Sequence, residues 1–578
     1  MAEGSTSGLS ELPQHIIHHI LSYLSAEEST KTSLISKSWL SACQTSPKLE
    51  FNPHVYFSRK LNPARFWDWS KEKRREKYEE FFQHVKKALK PYSKQGLRIN
   101  TVNFTLEATR DSQWNPLLEK CTKIAVKNGV RNLDFFIPEC DLPAIVFRAK
   151  SLVDLSVREG NIKRMSVGEI ICPGLRKLCL KWVSLDVEMF NNIIESCSFI
   201  EVLEVWYIQV FDDFKVTKLN NLKELTVRLF ENQWVKVEAP KLELLTCTDD
   251  ENWFEGEDGD EEDRLTCGIR FPASHYQNLK SLLFSGIGID DTFFIDLACK
   301  FPNLEDLMVR YCQELESIKI SSQSLKRIEL MDNKKLVEAQ FEVPKILAFE
   351  YSNVCDIIPR FLFATASSCW TSSICLWCME HVDVSWFVKL KELLASLFQS
   401  EVSLDIDFIC SVAFDLNEIR DIVKIREPQE VQKLTLHFDW MFSLEKGFSA
   451  LDGLFWVCRP KYVNTEWHDS LEKNDAVKFL YDTLMFRRTQ DQFQYSLQSK
   501  FWQHDLKEVN IEVLDRSICM IGDRVNFTTK GKNEHQQEDL DWENILNLLR
   551  NDGSFGTMVY FKLQWLRVME KDGRNFET

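Results

Sequence analysis

One pattern constrains this chain more than any other: an apolar residue, two of any kind, an apolar residue, one of any kind, and a third apolar residue. It appears as Leu152/Leu155/Val157, Leu175/Leu178/Leu180, Ile200/Leu203/Val205, Leu222/Leu225/Val227 and Leu242/Leu245/Cys247. After a gap it continues as Leu279/Leu282/Phe284, Leu304/Leu307/Val309, Leu325/Ile328/Leu330 and Ile346/Phe349/Tyr351. Most starts lie roughly 20 to 25 residues apart, enough for one short strand and a return segment per unit. The last two apolar residues of each triplet are two apart, so they share one face of the strand, and that face is the expected core. Cys172-Pro173-Gly174, Ala239-Pro240-Lys241 and Phe301-Pro302-Asn303 set a turn just ahead of a strand. Leu133/Phe136 reads as an earlier, poorer unit. The expectation is an α/β solenoid in which neighbours bury each other's apolar face.

Beyond residue 360 the pattern degrades. Ile374/Trp377/Met379, Val431/Leu434/Leu436 and Leu506/Val509/Ile511 still fit, separated by helical stretches at Leu390–Phe398 and Asp475–Arg487. A helix over Asp541–Arg550 and an alternating strand through Val559, Phe561, Leu563 and Trp565 read as a cap on the solenoid's apolar end. The long gap holds Asp249-Asp250-Glu251 and a run from Glu257 to Asp263. So dense a carboxylate run repels itself, and an acidic loop insertion over 249–263 is expected. Neither Gly256 nor Gly259 has oxygen ligands where a calcium loop requires them.

With 578 residues, 44% of them hydrophobic, the chain holds enough apolar material to fold throughout. A net charge of -16 argues against general nucleic-acid binding, which draws on clustered Lys and Arg. The 17 cysteines form no regular framework, and the most apolar long run, Phe361 to Met379, is rich in Ser and Thr. No membrane partner is expected, and the nucleus or cytoplasm with reduced thiols is. Cys375 and Cys378, with Cys369 and His381 near, have the form of a zinc pair, but residues three apart on a strand face opposite ways and no second Cys pair follows. His15 and His19 share a helix face, yet Ile16 stands where a zinc protease needs Glu, so His15, His18 and His19 read as a solvated face. No P-loop, nucleophile elbow or paired zinc motif occurs, and no catalytic residue and no metal are expected.

The N-terminus is organised differently. After a small polar tail over 1–8, Gln14–Leu24 has helical spacing, with Ile16, Ile20 and Leu24 every four residues and Ile17 and Leu21 beside them. Pro13 suits a first turn, Ser25 with Glu28 has the form of a capping box for a second helix, and Pro47 ends a third. Three helices in about 35 residues bury too little surface to stand alone and need a partner. A further helix is expected over Trp69–Leu89, connecting to the repeats.

Leu12-Pro13, the Ile16/Ile20/Leu24 stripe and Leu34-Ile35-Ser36-Lys37-Ser38-Trp39 resemble an F-box, the module that docks an SCF ubiquitin ligase through its Skp-type linker. Ser38 stands where the family usually has a basic residue, and Ser29 and Thr30 where it often has apolar ones. The triplets resemble those of plant F-box/leucine-rich-repeat proteins. The resemblance implies linker binding through Leu12, Pro13, Ile16, Ile20, Leu24 and Trp39, a cullin reached through the linker, and an unknown protein substrate on the repeats. The implied domains are an F-box at 9–50, a connecting region at 51–97, a solenoid at 98–360, and degenerate repeats with a cap at 361–578. Two alternatives stay open: a small-anion or hormone receptor of F-box type, and a repeat scaffold outside any ligase.

The residue after each triplet faces away from the core, toward a ligand. In order these are Arg158, Lys181, Trp206, Arg228, Thr248, Ser285, Arg310, Met331 and Ser352. A neighbouring column is mixed in charge, with Asp154, Lys177, Glu224, Asp306 and Arg327. Strands about 4.8 Å apart would gather Arg158, Lys181 and Arg228 around Trp206, with Arg310 further along. The expectation is a substrate or anion site for a phosphorylated segment or an inositol phosphate, which Arg grips by paired hydrogen bonds. No other cofactor is expected.

Overall fold

The computed structural model describes residues 12–24, 26–58, 71–106, 114–208, 213–249, 267–272, 276–354, 357–365, 370–378, 381–397, 399–408, 411–412, 427–438, 444–467, 473–485, 502–515, 542–543, 546 and 557–566. The chain divides into two units, Met1–Gly288 and Ile289–Thr578. Most of the expected acidic insertion, the Ser25 end of the expected capping box and Cys369 lie outside the described residues.

The first unit opens with α1 (Gln14–Tyr23), α2 (Ala26–Thr32) and α3 (Lys37–Gln44). Ser36 caps α3 by accepting from the Trp39 N–H at 3.3 Å. The sheet begins at β1 (Lys48–Phe51), ahead of α4 (Pro53–Ser58) and α5 (Lys71–Gln95). There follow β2 (Thr101–Thr105), α6 (Asn115–Lys127), β3 (Asn132–Phe136), β4 (Asp154–Arg158), β5 (Lys177–Lys181), α7 (Val187–Ser196) and β6 (Val202–Trp206). Then come β7 (Asp213–Val216), β8 (Glu224–Arg228), β9 (Trp234–Val237), β10 (Leu244–Thr248), β11 (Gly268–Arg270) and β12 (Ser281–Ser285). The main sheet runs β1-β2-β3-β4-β5-β6-β8-β10-β12, every neighbour parallel. Strands β7, β9 and β11, from the return segments, pair parallel in a small second sheet. All-parallel order with short return segments is the architecture of a leucine-rich-repeat solenoid.

The triplets set this register. From Leu152 to Phe284 every triplet residue of the first unit is buried, the middle and last positions stacking strand on strand. Two further units precede them. Ile99/Val102/Phe104 fits the same template and is buried. The earlier unit uses Val130/Leu133/Phe135, not Leu133/Phe136: Phe135 is in the core and Phe136 lies opposite Arg158 on the outer face. Helix α5 runs past the expected Leu89 and through Pro91 to Gln95, because Tyr92 is buried and its hydroxyl donates to the Ser46 carbonyl at 2.7 Å.

In the second unit, strands Asp306–Arg310, Arg327–Met331, Ala348–Asn353, Trp370–Cys378, Ser400–Phe408, Gln429–Phe438 and Cys458–Trp467 are parallel in that order. Strand Thr557–Trp565 then pairs antiparallel with Cys458–Trp467 and, on its other edge, with Leu506–Asp515. Val559, Phe561 and Leu563 face the core. Helices Val384–Ser396 and Lys473–Met485 stand where helical stretches are expected. The expected terminal helix is described only at 542–543 and 546.

Two degenerate triplets are misregistered. On Trp370–Cys378 the alternation buries Ser372, Ile374, Leu376 and Cys378, with Ser372 opposite Phe349 and Ile374 opposite Tyr351; Trp377 is exposed and Met379 lies outside the described residues. Leu506/Val509/Ile511 sits on the antiparallel strand, where only Leu506 is buried. Val431, Leu434 and Leu436 are buried. Asn333 ties neighbouring turns, accepting from the Cys312 N–H at 2.9 Å and donating to the Val309 carbonyl at 3.0 Å.

Candidate functional site

The N-terminal helices pack along a different line from the expected stripe. Ile17 and Leu21 of α1, with Trp39 and Ala42 of α3, form the core, and Leu12, Ile20, Leu24 and Cys43 pack against it. Ile16 is 37% exposed and Pro13 exposed, so these two face outward. Trp39 is 3% exposed and holds α1 to α3; its ring is spent on internal packing. The exposed apolar surface comes mainly from residues outside the expected set: Leu34, 87% exposed, with Ile35, Leu40 and Tyr23. His18 is not on the solvated face. Its Nε2 lies 3.1 Å from the Ala42 carbonyl and 3.2 Å from Thr45 Oγ1, and burial lowers its pKa from the ordinary value. Gln14 adds a 2.9 Å bond to the same Thr45 hydroxyl. His19 stacks edge-on to Tyr23.

On the first unit's sheet, Phe136, Arg158, Lys181, Trp206, Arg228, Thr248 and Ser285 occupy one register position on successive strands. The cations are engaged within the protein. Arg158 reaches Asp134 at 3.2 Å and stacks on Phe136 at 5.2 Å. Lys181 bonds Glu204 at 3.1 Å, and Lys177 bonds the same carboxylate at 3.0 Å. Burial pushes the Glu204 carboxyl up, but these two ammoniums outweigh it and hold it below the usual glutamate value. Trp206 is clamped by cations, Lys181 Nζ at 3.2 Å and Arg228 Cζ at 4.0 Å from its ring centroid. Thr248 and Ser285 are buried. In the second unit Arg310 Nε bonds Glu329 at 2.5 Å, which raises the guanidinium pKa further. Asp134, Glu204 and Glu329, two residues ahead of the basic column and therefore on its face, are the partners that reading one column at a time leaves out.

One residue further, at the strand ends, the backbone turns left-handed. Glu159, Trp182 and Tyr207 have φ of 53°, 57° and 51°. Each N–H still bonds the next strand, to the carbonyls of Lys181, Trp206 and Arg228 in turn, at 2.9 Å. Such a φ costs a non-glycine residue on the order of 1 kcal/mol. Gly286, with φ 70°, follows β12 at the equivalent place. The aromatic side chains recover part of the cost: Trp182 and Tyr207 stack at 4.4 Å, and Phe230 meets them at 5.9 and 5.2 Å.

Cys375 is half-buried and accepts from Trp377 Nε1 at 3.2 Å, whereas Cys378 is buried on the core face, so the pair is split across the strand. Among the described residues no group of three or more His, Cys, Asp or Glu is placed to hold a metal. Nor is any described helix long and apolar enough to cross a membrane.

Comparison with known proteins bears on both regions. Residues 9–51 match the F-box domain. An F-box/LRR-repeat protein of Arabidopsis thaliana is 27% identical over 298 residues, 49% of this chain and 50% of the relative. A second from the same plant is 27% identical over 212 residues, 35% of this chain and 39% of the relative. A third is 25% identical over 350 residues, 56% of this chain and 81% of the relative. The chain spans about half the length, or less, of the first relatives it matches (50%, 39% and 33%). With an F-box at its head and parallel repeat strands behind it, this chain carries an F-box domain and is a distant homologue of the plant F-box/LRR-repeat proteins.

Proposed function

We propose that the protein is the substrate-recognition subunit of an SCF-type ubiquitin ligase. The observation that carries this reading is the match of residues 9–51 to an F-box domain whose helices expose Leu34, Ile35, Leu40 and Ile16 beside a closed Ile17/Leu21/Trp39 core. Four large apolar side chains left exposed on one module of three short helices give it apolar surface that a partner can cover. The partner that fits is a Skp-type linker, with a cullin beyond it. On this reading the repeats recruit the protein to be ubiquitinated, in the nucleus or cytoplasm. The chain itself performs no chemistry.

The basic column has a modified role in this proposal. A phosphorylated segment or an inositol phosphate at Arg158, Lys181 and Arg228 must displace Asp134 from Arg158 and Glu204 from Lys181. The pairs already made favour a neutral, pre-ordered platform around Trp206 over an open anion trap. Affinity purification from cells with and without proteasome inhibition tests the function. A bound protein that accumulates only under inhibition is expected; partners indifferent to inhibition would favour a scaffold acting outside a ligase.

A further inference from the structure

The rim of the first unit's sheet has a chemistry of its own. Trp182 is 40% exposed although one face stacks on Tyr207. Among the described residues no Lys or Arg stacks on it, in contrast to the doubly covered Trp206. On the adjacent strand end stands Glu159, exposed, and one repeat earlier Glu139, also exposed and left-handed with φ 58°. The basic residues of the loop that follows Glu159 are already matched: Lys163 bonds Asp141 at 2.7 Å and Arg164 bonds Glu188. The rim therefore presents an open indole face flanked by exposed carboxylates whose local cations are bound elsewhere. Gly286 shows that the sharp turn after a strand needs no side chain. Keeping Trp and Glu there against backbone strain points to a use for the side chains.

We propose that this rim binds a basic segment of the protein to be recruited, with a Lys or Arg side chain laid on Trp182 and paired with Glu159. The inference rests on the adaptor reading, and it names the chemistry of what that adaptor captures. A cation on an aromatic face with a carboxylate at its edge gains from both the ring quadrupole and the ion pair. Behind it, Glu204 and Asp134 offset the charge of Lys181 and Arg158, which lessens the repulsion a basic segment meets. The chain's overall charge of -16 also favours its approach.

The test uses the full chain and three labelled Gly/Ser peptides: one carrying Lys and Arg, one with Glu in their place, and one unsubstituted. Fluorescence anisotropy should show the basic peptide bound in preference to both others. Trp182→Ala should weaken it by about tenfold and Glu159→Gln by about threefold, with Trp182→Phe retaining most of the affinity. Trp182→Gly, which suits the left-handed backbone, repeats the test if Trp182→Ala unfolds. Equal or better binding of the Glu peptide, or an unchanged affinity for the basic peptide in folded Trp182→Ala or Trp182→Gly, would overturn the proposal. Linker binding is measured on the same samples. Linker bound with no basic-peptide preference removes the rim site alone; the preference without linker removes the adaptor reading alone.

Discussion

The Lys181 ammonium lies 3.2 Å from the centroid of the Trp206 ring, while its charge is shared with Glu204 at 3.1 Å. The indole is thus the hinge of a packed polar row, although its buried Nε1 has no hydrogen-bond partner among the described residues. These facts separate two substitutions. Trp206→Ala removes the ring that Lys181 and Arg228 both cover, and should cost roughly 2 to 3 kcal/mol, less than a fully buried Trp. Trp206→Phe keeps an aromatic face and deletes the orphan N–H, so its cost should stay below about 1 kcal/mol. Urea midpoints at constant slope check both. An equal loss in the two variants would mean the cations contribute nothing through the ring.

At the N-terminus, Trp39 and Leu34 should part company. Trp39→Ala opens the core between α1 and α3 and should lower the stability of those helices by about 3 kcal/mol or more. Leu34→Asp with Leu40→Asp changes exposed positions and should leave the helical signal intact while reducing linker affinity by well over about tenfold. Circular dichroism with a linker pull-down reads both. Full linker binding by the Leu34/Leu40 variant would remove the docking surface argued above.

Much of this fold was legible because the triplets carry their own register. Leu178 and Leu180 are buried whatever residue lies between them, and the same holds for the matching pairs down the sheet. Legibility failed where the strand lengthens, as at Trp370–Cys378: nine alternating residues give several frames for one triplet, and Tyr351 across the ladder, not the local sequence, picks Ile374. It failed again for Leu506, Val509 and Ile511, since nothing local in a strand states whether its neighbour runs parallel. In α1 both Ile16/Ile20/Leu24 and Ile17/Leu21 are helical stripes, and the choice is made by α3. For the sheet surface, the pattern of period two already put Glu204 beside Trp206 and Lys181; the signal was present, one column over from the basic residues.

Two glycines separate backbone strain from crowding. Gly129 ends α6 with φ 75°, its N–H on the Val126 carbonyl and that of Val130 on the Ala125 carbonyl, and a Cβ there would meet nothing within 4 Å. Gly129→Ala should therefore cost only the left-handed penalty, about 1 kcal/mol. Gly286 has φ 70°, but its Cβ would come within 2.6 Å of the Asp249 carbonyl oxygen. Gly286→Ala adds overpacking of about 1 to 3 kcal/mol to the same penalty. Chemical denaturation should rank them in that order, and equal losses would show that the Asp249 backbone yields freely.

His18 makes the pairing of α1 with α3 sensitive to acid. Its folded pKa lies below the ordinary 6.5, because burial disfavours the charged ring more than the Ala42 carbonyl favours it. As pH falls through 6.5 the unfolded chain takes up the proton first, and the folded helices resist it. The stabilisation is therefore complete above the unfolded value and is lost as pH falls through the folded one. Hydrogen exchange of the α1 and α3 amides should accelerate, after correction for intrinsic rates, between about pH 7.5 and about pH 5. His18→Gln keeps a donor for the Ala42 carbonyl but cannot titrate, so its protection should stay flat over the same range. An identical decline in the variant would assign the acid sensitivity to other groups.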